Sequence, residues 1–341
     1  MVDIRSLALK WNVSEKAAAL HSDARVCDMT LPWGAPNENK EITLPRYPES
    51  GFDFVSMSVG IDGDSLAHTV HYVASVKNYL KTHANKYVFV KSVDEILKAK
   101  SEGKFAVGFN FQGSEMLEGD KNLVEVFYDL GVRHMLLAYN QKNKAADGCH
   151  ERTDSGLSRY GISLIQEMNR VGMIVDLTHM GYCSSMEAME ISKAPVIFSH
   201  SDAYTLKNHP RNIRDDQIKG CARKGGIIGV VGIGHFLGNN EASTENMVRH
   251  IDYIVNLVGP GHVGIGLDLV YYQDSMYRRY LEQRERYPEG YPPDSKDWNY
   301  FQPEQLPEIT DALLKRNYSE NDIRGILGQN FIRVAGQVWK T

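Results

Sequence analysis

Short apolar, β-branched runs alternate with amphipathic stretches along the whole chain. This alternation is typical of parallel strands joined by crossover helices, because a strand covered on both faces is apolar at nearly every position. The runs that predict strands are 24–29, 52–58, 105–111, 133–139, 173–178, 195–199, 227–233 and 262–267. Eight strands, each followed by a helical stretch, predict an α/β fold, a single (β/α)8 TIM barrel.

Apolar residues at helical spacing occupy the segments between these strands. In 66–80 they recur every three to four positions, as they do on one face of a helix. The same pattern predicts helices at 93–103, 121–130, 156–171, 184–193, 215–224 and 242–257, and two or three more between 307 and 339. We expect the helices after the last strand to close the barrel.

The chain is longer than a minimal barrel. Its 341 residues compare with about 250 for a typical one, so we expect one domain over 1–341 with elaborated rim loops and C-terminal helices. The segment 271–302, rich in Tyr, Arg and Glu, follows the last strand directly. It is interpreted as a lid, a subunit contact or a solvated face. Barrels of this kind often pair, so a homodimer or higher homo-oligomer is expected.

Composition and charge narrow the function classes. A formal charge of −5 without a basic patch argues against nucleic-acid binding. The chain shows neither a basic start followed by an apolar stretch nor a run of ~18 uncharged apolar residues, which predicts a cytoplasmic protein without a membrane span. The four cysteines form no C-x-x-C pair, so we expect reduced thiols rather than disulfides or a thiolate zinc site.

Three of the predicted strands end in side chains that can do chemistry. His179 follows 173–178, His200 follows 195–199, and Asp268 follows 262–267. In barrel enzymes the strand ends form the active-site rim, so we expect these side chains to meet. Imidazoles suit a zinc ion, and a nearby carboxylate can take a proton from an attacking water and return it to a leaving amine. The sequence therefore predicts a metal-dependent hydrolase.

Longer motifs around these residues strengthen that interpretation. The chain resembles the membrane (renal) dipeptidase family of the amidohydrolase superfamily, over 169–179, 194–204, 211–212, 264–268, 313–318 and 330–334. That family is similar in being a barrel whose two zinc ions serve dipeptide hydrolysis, often with a D-residue at the C-terminal position. The resemblance implies that His179 and His200 bind one zinc, Arg211 binds the substrate carboxylate, and Asp268 is the catalytic acid and base.

The chain departs from the family at the other metal ligands. The family's His-x-Asp pair on the first strand is replaced by Thr30-Leu31-Pro32, its bridging glutamate by Gln112, and the histidine after strand four by Tyr139. The loss of carboxylates and imidazoles removes the charge that would hold two cations close together. We therefore expect one zinc ion rather than two.

Several residues are candidates to complete the site. Gln112 could remain a weak neutral ligand or orient a water, and Glu115, three residues further on, could supply a carboxylate. Asp28 at the end of the first strand is another candidate ligand. Tyr139, at the end of strand four, is expected to contact substrate, and His150, on the loop after that strand, could contribute an imidazole or bind substrate.

Three functions remain open at this level. The leading hypothesis is a single-metal hydrolase of a dipeptide-like substrate, with Asp268 moving the proton. A second is a barrel without metal chemistry that binds a small molecule. In a third, Tyr139, Asp268 and His179 act as acid and base on another small carbonyl compound, since a retained fold can host a changed reaction.

Overall fold

The computed structural model describes residues 3–32, 43–270, 282 and 298–340. Within these residues a parallel sheet of nine strands curves into a nearly closed barrel, in the order β1-β2-β4-β5-β6-β7-β8-β9. The strands are β1 (Cys27–Pro32), β2 (Phe54–Ile61), β3 (Tyr87–Phe89), β4 (Phe105–Gln112), β5 (Val132–Leu136), β6 (Ile174–Asp176), β7 (Val196–Phe198), β8 (Ile227–Val230) and β9 (Val263–Ile265). The predicted (β/α)8 barrel is confirmed.

All eight predicted strands are present, with bounds that differ by a few residues. The strand that sequence reasoning missed is β3, which lies off the barrel path and pairs with β4 through Tyr87 opposite Phe105. It is three residues long and stands close to Lys86 and Lys91, so it lacks the continuous apolar run of a barrel strand.

Helices fill the connections as the periodicity predicts. Their bounds are Ile4–Trp11, Glu15–Asp23, Arg46–Glu49, Leu66–Thr82, Val93–Ser101, Leu123–Leu130, Arg159–Val171, Tyr182–Ile191, Asp215–Arg223, Gly234–Leu237, Thr244–Val258, Leu306–Lys315, Glu320–Arg324 and Asn330–Val338. Several begin at a serine whose hydroxyl accepts an N–H of the first turn, as Ser65, Ser158 and Ser243 do. The first two helices and the short ones lack a long amphipathic repeat and were not predicted individually.

The last helix closes one end of the barrel. Phe331 stacks on Phe54 at the start of β2, with ring centroids 5.4 Å apart, and Val334 and Val338 join the same apolar cluster. That cluster also contains the first residues of β1, β6 and β8 or their neighbours. The N-terminal ends of the strands are therefore covered, which leaves the C-terminal ends as the accessible rim.

Three other expectations concern the segment 271–302, the cysteines and membrane-spanning helices. The segment 271–302, predicted to be a lid, a subunit contact or a solvated face, lies outside the described residues except for 282 and 298–302. All four cysteines are free thiols; Cys27 and Cys221 are buried, whereas Cys149 and Cys183 are half-buried. In the described part of the chain no helix is both long enough and apolar enough to cross a membrane.

One close backbone approach fixes the geometry of the rim. A Cβ atom added to Gly266 would overlap the carbonyl oxygen of Ser199, at the tip of the strand that carries His200. Gly266→Ala should therefore lower the free energy of unfolding by about 1–3 kcal/mol, because neither backbone can yield easily. Urea denaturation measures this effect. Gly261→Ala is the matched control, since no atom lies within 4 Å of its added Cβ, and equal losses in the two variants would contradict the argument.

Candidate active site

Two buried imidazoles face each other where β6 and β7 end. His179 Nε2 lies 3.1 Å from His200 Nε2, with ring centroids 5.1 Å apart. The two residues are 4% and 0% exposed. The meeting of these two side chains, 21 positions apart in the sequence, is as predicted.

The remaining ring nitrogens are held by neighbours. His179 Nδ1 donates to Asn140 Oδ1 at 2.7 Å, which leaves the lone pair on Nε2, and the Tyr139 ring stacks on the imidazole at 3.9 Å. His200 Nδ1 lies 2.7 Å from Ser199 Oγ and 3.1 Å from Thr30 Oγ1. Burial, reinforced by the nearby charge of Arg211, keeps the pKa of both histidines well below the usual range. Both rings are therefore neutral, the form that binds a metal.

A buried aspartate beneath the pair ties the two strand ends together. Asp176 Oδ1 accepts the N–H groups of Thr178 and Ser199, each at 3.1 Å, and Oδ2 lies 3.1 Å from His134 Nδ1. Burial alone would raise the pKa of Asp176, but the hydrogen bond and charge of His134 lower it to about 2. The carboxylate is thus ionised, and it fixes the backbone immediately before both His179 and His200.

Asp28 forms a similar set of hydrogen bonds where the first and last barrel strands meet. Its Oδ1 accepts the N–H groups of Thr30 and Leu267, each at 3.0 Å, and its Oδ2 accepts the hydroxyl of Tyr47 at 3.1 Å. These bonds join the end of β1 to the segment that leads into Asp268. Both oxygens are engaged by the chain's own donors, so Asp28 acts here as a clamp and not as a side chain presented to a metal.

Arg211 and Asp268 lie at the same rim. Arg211 is 2% exposed, donates to the His200 carbonyl at 3.3 Å and lies over the Phe236 ring. Burial raises the pKa of Asp268 to about 6, although Arg211 and a hydrogen bond from Gln112 lower it. Both Asp268 and His179 have left-handed backbones, with φ of 53° and 66°, a strained conformation common at functional sites.

Of the other predicted site residues, two lie near the histidine pair or Asp268, and one lies at a separate cavity. Gln112 donates to Ser58 Oγ at 3.0 Å and hydrogen bonds Asp268, so it belongs to the rim. His150 lies near His209 and Arg211, and burial with those two charges lowers its pKa to about 3. Glu115, in contrast, is exposed and lines a separate cavity. The backbone of Glu115 is held there by Asp62, to which its N–H donates.

A cleft of about 250 Å³ opens beside the pair, between the loops 148–154 and 204–217. His179 and Arg211 lie on its wall, and so do Tyr182, Tyr204 and Arg214. Sequence reasoning did not single out the last three residues. The signal available for Arg214 was its position three residues after Arg211, which alone does not separate a site residue from a surface one.

The number of metal ligands is limited. Across residues 3–32, 43–270 and 298–340, no group of three or more His, Cys, Asp or Glu side chains is placed to hold an ion. Thr30, Gln112 and Tyr139 instead contact His200, Asp268 and His179 respectively. The described site therefore offers two imidazoles and no carboxylate as a third ligand.

Comparison with known proteins establishes the family. Residues 36–341 match the model of membrane dipeptidase, peptidase family M19. The match spans most of the chain, and the chain belongs to this family of metal-dependent peptidases. The resemblance inferred from the strand-end motifs is thereby confirmed.

Individual relatives agree with this assignment. An uncharacterized dipeptidase of Schizosaccharomyces pombe is 32% identical over 309 residues, covering 88% of this chain and 67% of the relative. The dipeptidase tcpJ of Claviceps purpurea is 29% identical, covering 80% of this chain and 60% of the relative. The chain thus spans about two thirds or less of these two curated relatives. Among solved structures, an amidohydrolase from Pseudomonas aeruginosa superimposes with a TM-score of 0.85 at 30% identity, over 95% of this chain and 99% of that one.

The burial of Asp28 leads to a prediction for the pH dependence of the free energy of unfolding. Burial raises the pKa of Asp28 to about 7, whereas an unfolded aspartate titrates near about 3.9. The folded protein therefore retains a proton that the unfolded chain releases, and the free energy of unfolding due to this group falls as pH rises between about 4 and 7. Asp28→Asn keeps an oxygen acceptor without the charge, so it should flatten this dependence.

Urea denaturation across that pH range measures the slope for the wild type and the variant. Asp129→Asn, which changes an exposed aspartate on the helix Leu123–Leu130, is the control and should leave the slope unchanged. Identical slopes for the wild type and Asp28→Asn would show that Asp28 is ionised throughout.

Proposed function

We propose that the protein hydrolyses the amide bond of a dipeptide or a similar small amide, with one zinc ion held by His179 and His200. The observation that carries this proposal is the separation of 3.1 Å between the Nε2 atoms of His179 and His200. Both imidazoles are neutral, and neighbouring side chains hold their Nδ1 atoms. Two nitrogens that each lie about 2.0–2.1 Å from a tetrahedral zinc are about 3.3 Å apart. The pair therefore fits one ion with little movement.

The same residues do not fit a pair of ions. A second metal needs carboxylates, and the positions where the family pattern has them are Pro32 and Gln112. The Gln112 amide is also already hydrogen bonded to Ser58 and Asp268. A single ion on two imidazoles leaves coordination positions for solvent and substrate, as catalytic sites require.

Each remaining group has a role that follows from its chemistry. A bound zinc supplies Lewis acidity toward a carbonyl or a water. Asp268 is the group that takes the proton from the attacking water and returns it to the leaving amine, since its pKa of about 6 suits both steps. Arg211 binds the substrate carboxylate through its planar pair of donors. Gln112 orients Asp268 through their hydrogen bond.

The comparisons support this function without replacing its test. The two curated relatives are named dipeptidases, and the family is one of peptidases. Since the chain spans 67% and 60% of those relatives, activity and substrate are proposals for this protein. A cytoplasmic location and a homo-oligomeric state stay predictions.

Metal content provides the direct test. Purified protein supplied with zinc should retain about one equivalent after dialysis, and His179→Ala or His200→Ala should lose it together with dipeptide hydrolysis. Mass spectrometry of the dialysed protein measures the ion. His71→Ala, an exposed histidine on the helix Leu66–Thr82, is the control and should retain the ion.

Three results would contradict the proposal. Two retained equivalents would restore a two-ion centre. No retained ion, with activity that survives a chelator, would favour metal-free acid and base chemistry by Tyr139, Asp268 and His179 on another carbonyl compound. No ion and no activity on any amide would favour the small-molecule binder.

The proton carrier predicts a pH profile. Asp268 must be ionised to accept a proton, so kcat/KM should rise with pH through about 6 as the carboxyl loses its own proton. Asp268→Asn should lower kcat by about 10²–10⁴-fold and remove that rise. Steady-state kinetics across the pH range measures both effects. An unchanged acidic limb in the variant would assign the ionisation to another group.

A further inference from the structure

A second guanidinium stands in the mouth of the cleft. Arg214 lines the same cleft as His179 and Arg211, but it is exposed where Arg211 is buried. The two arginines are three residues apart, just before the helix Asp215–Arg223 begins. Arg211 already has its role in the proposed function, whereas Arg214 has none.

Aromatic contacts hold the Arg214 side chain in place. Its Cζ atom lies 4.9 Å from the ring centroid of Tyr182 and 5.7 Å from that of Tyr204, and both tyrosines line the cleft. A guanidinium contacts rings through its flat face, so its in-plane N–H donors stay available. An otherwise flexible cation is thus positioned for a planar acceptor.

The negative groups nearby have other partners. Among the described residues no carboxylate lies within ion-pair distance of Arg214. Of the two carboxylates on the cleft wall, Asp154 accepts the Cys183 N–H at 2.9 Å and Glu151 accepts the Arg152 N–H at 2.9 Å. Neither of these carboxylates lies within ion-pair distance of Arg214, so the guanidinium has no anionic side chain bound to it on the described wall of the cleft.

The position of Arg214 adds to this argument. It is the residue before the first turn of a helix, where the helix dipole disfavours a cation and favours an anion. The acidic residues of that turn, Asp215 and Asp216, accept hydrogen bonds from the hydroxyl groups of Tyr253 and Tyr182 respectively. A carboxylate bound by Arg214 would lie at this end of the helix dipole, beside the two aspartates, with the guanidinium as its cationic partner.

We propose that Arg214 binds a second carboxylate of the substrate, so that the cleft selects dipeptide-like amides with an acidic side chain. In this arrangement Arg211 binds the main-chain carboxylate and Arg214 the side-chain one. The inference rests on the proposed function for its substrate class. Two bidentate arginines recognise a dicarboxylate by charge and by geometry, which a neutral amide side chain of the same shape does not satisfy.

Matched substrates isolate the effect of the charge. Ala-Asp is compared with Ala-Asn, and Asp-Ala with Asn-Ala, each with an L and a D residue at the C-terminal position. We expect the wild type to favour the carboxylate member of at least one pair by about tenfold in kcat/KM. Arg214→Gln should bring that ratio close to one, and Arg214→Lys should keep part of it, because the charge remains.

Arg223→Gln is the matched control, since it removes an exposed arginine from the far end of the same helix and should leave the ratio as in the wild type. A wild type that does not distinguish the pairs, or a preference that survives Arg214→Gln, would overturn the inference.

Binding measurements separate this inference from the proposed function. If none of these dipeptides is hydrolysed, that result counts against the hydrolase proposal alone, and calorimetric titration of the same eight dipeptides decides the role of Arg214. Tighter binding of an acidic member that is lost in Arg214→Gln would support the inference. Equal binding within both pairs, or none, would overturn it.

Discussion

The active-site rim depends on one buried, ionised carboxylate. Asp176 accepts the N–H groups of Thr178 and Ser199 with a single oxygen, so it fixes the ends of two neighbouring strands relative to each other. A fully buried charge is costly unless it is paired, and His134 supplies the pairing from β5. Because His179 and His200 directly follow the clamped residues, the separation of their Nε2 atoms is set by the backbone rather than by flexible side chains.

The charge state of the groups around Asp176 changes from the barrel interior to the rim. Asp176 lies below the histidines and is ionised, the two imidazoles above it are neutral, and Arg211 is the buried cation at the rim. Arg211 lowers the pKa of Asp268 as well as those of both histidines, in each case after the larger effect of burial. Burial, reinforced by this guanidinium, keeps the imidazoles free of protons, and the same guanidinium partly offsets the effect of burial on the Asp268 carboxyl group.

Much of the fold and part of the site can be predicted from the sequence. Continuous apolar runs reveal the eight barrel strands because both faces of each strand are buried, whereas β3, with three residues beside lysines, gives no such signal. His179, His200, Arg211 and Asp268 follow from their places near strand ends and from the family resemblance. The roles of Asp28 and Asp176 in joining strand ends cannot be predicted in this way. The Asp-x-Thr spacing at 28–30 and 176–178 indicates such a role only when the neighbouring strand is known. Glu115 shows the converse, since closeness in sequence to Gln112 did not place it on the cleft beside His179.

The residues that depart from the family pattern share one feature in the structure: each contacts a candidate functional side chain. By the resemblance inferred from the sequence, Thr30, Gln112 and Tyr139 replace metal ligands of the family. They contact the candidate functional side chains His200, Asp268 and His179 respectively. An unmatched polar group in this buried region would be destabilising. The hydrogen bonds of Thr30 and Gln112 avoid that cost, and the stacked ring of Tyr139 restricts His179. At the positions where the proposed single-ion site lacks the family's ligands, these side chains therefore support two imidazoles and one carboxyl group.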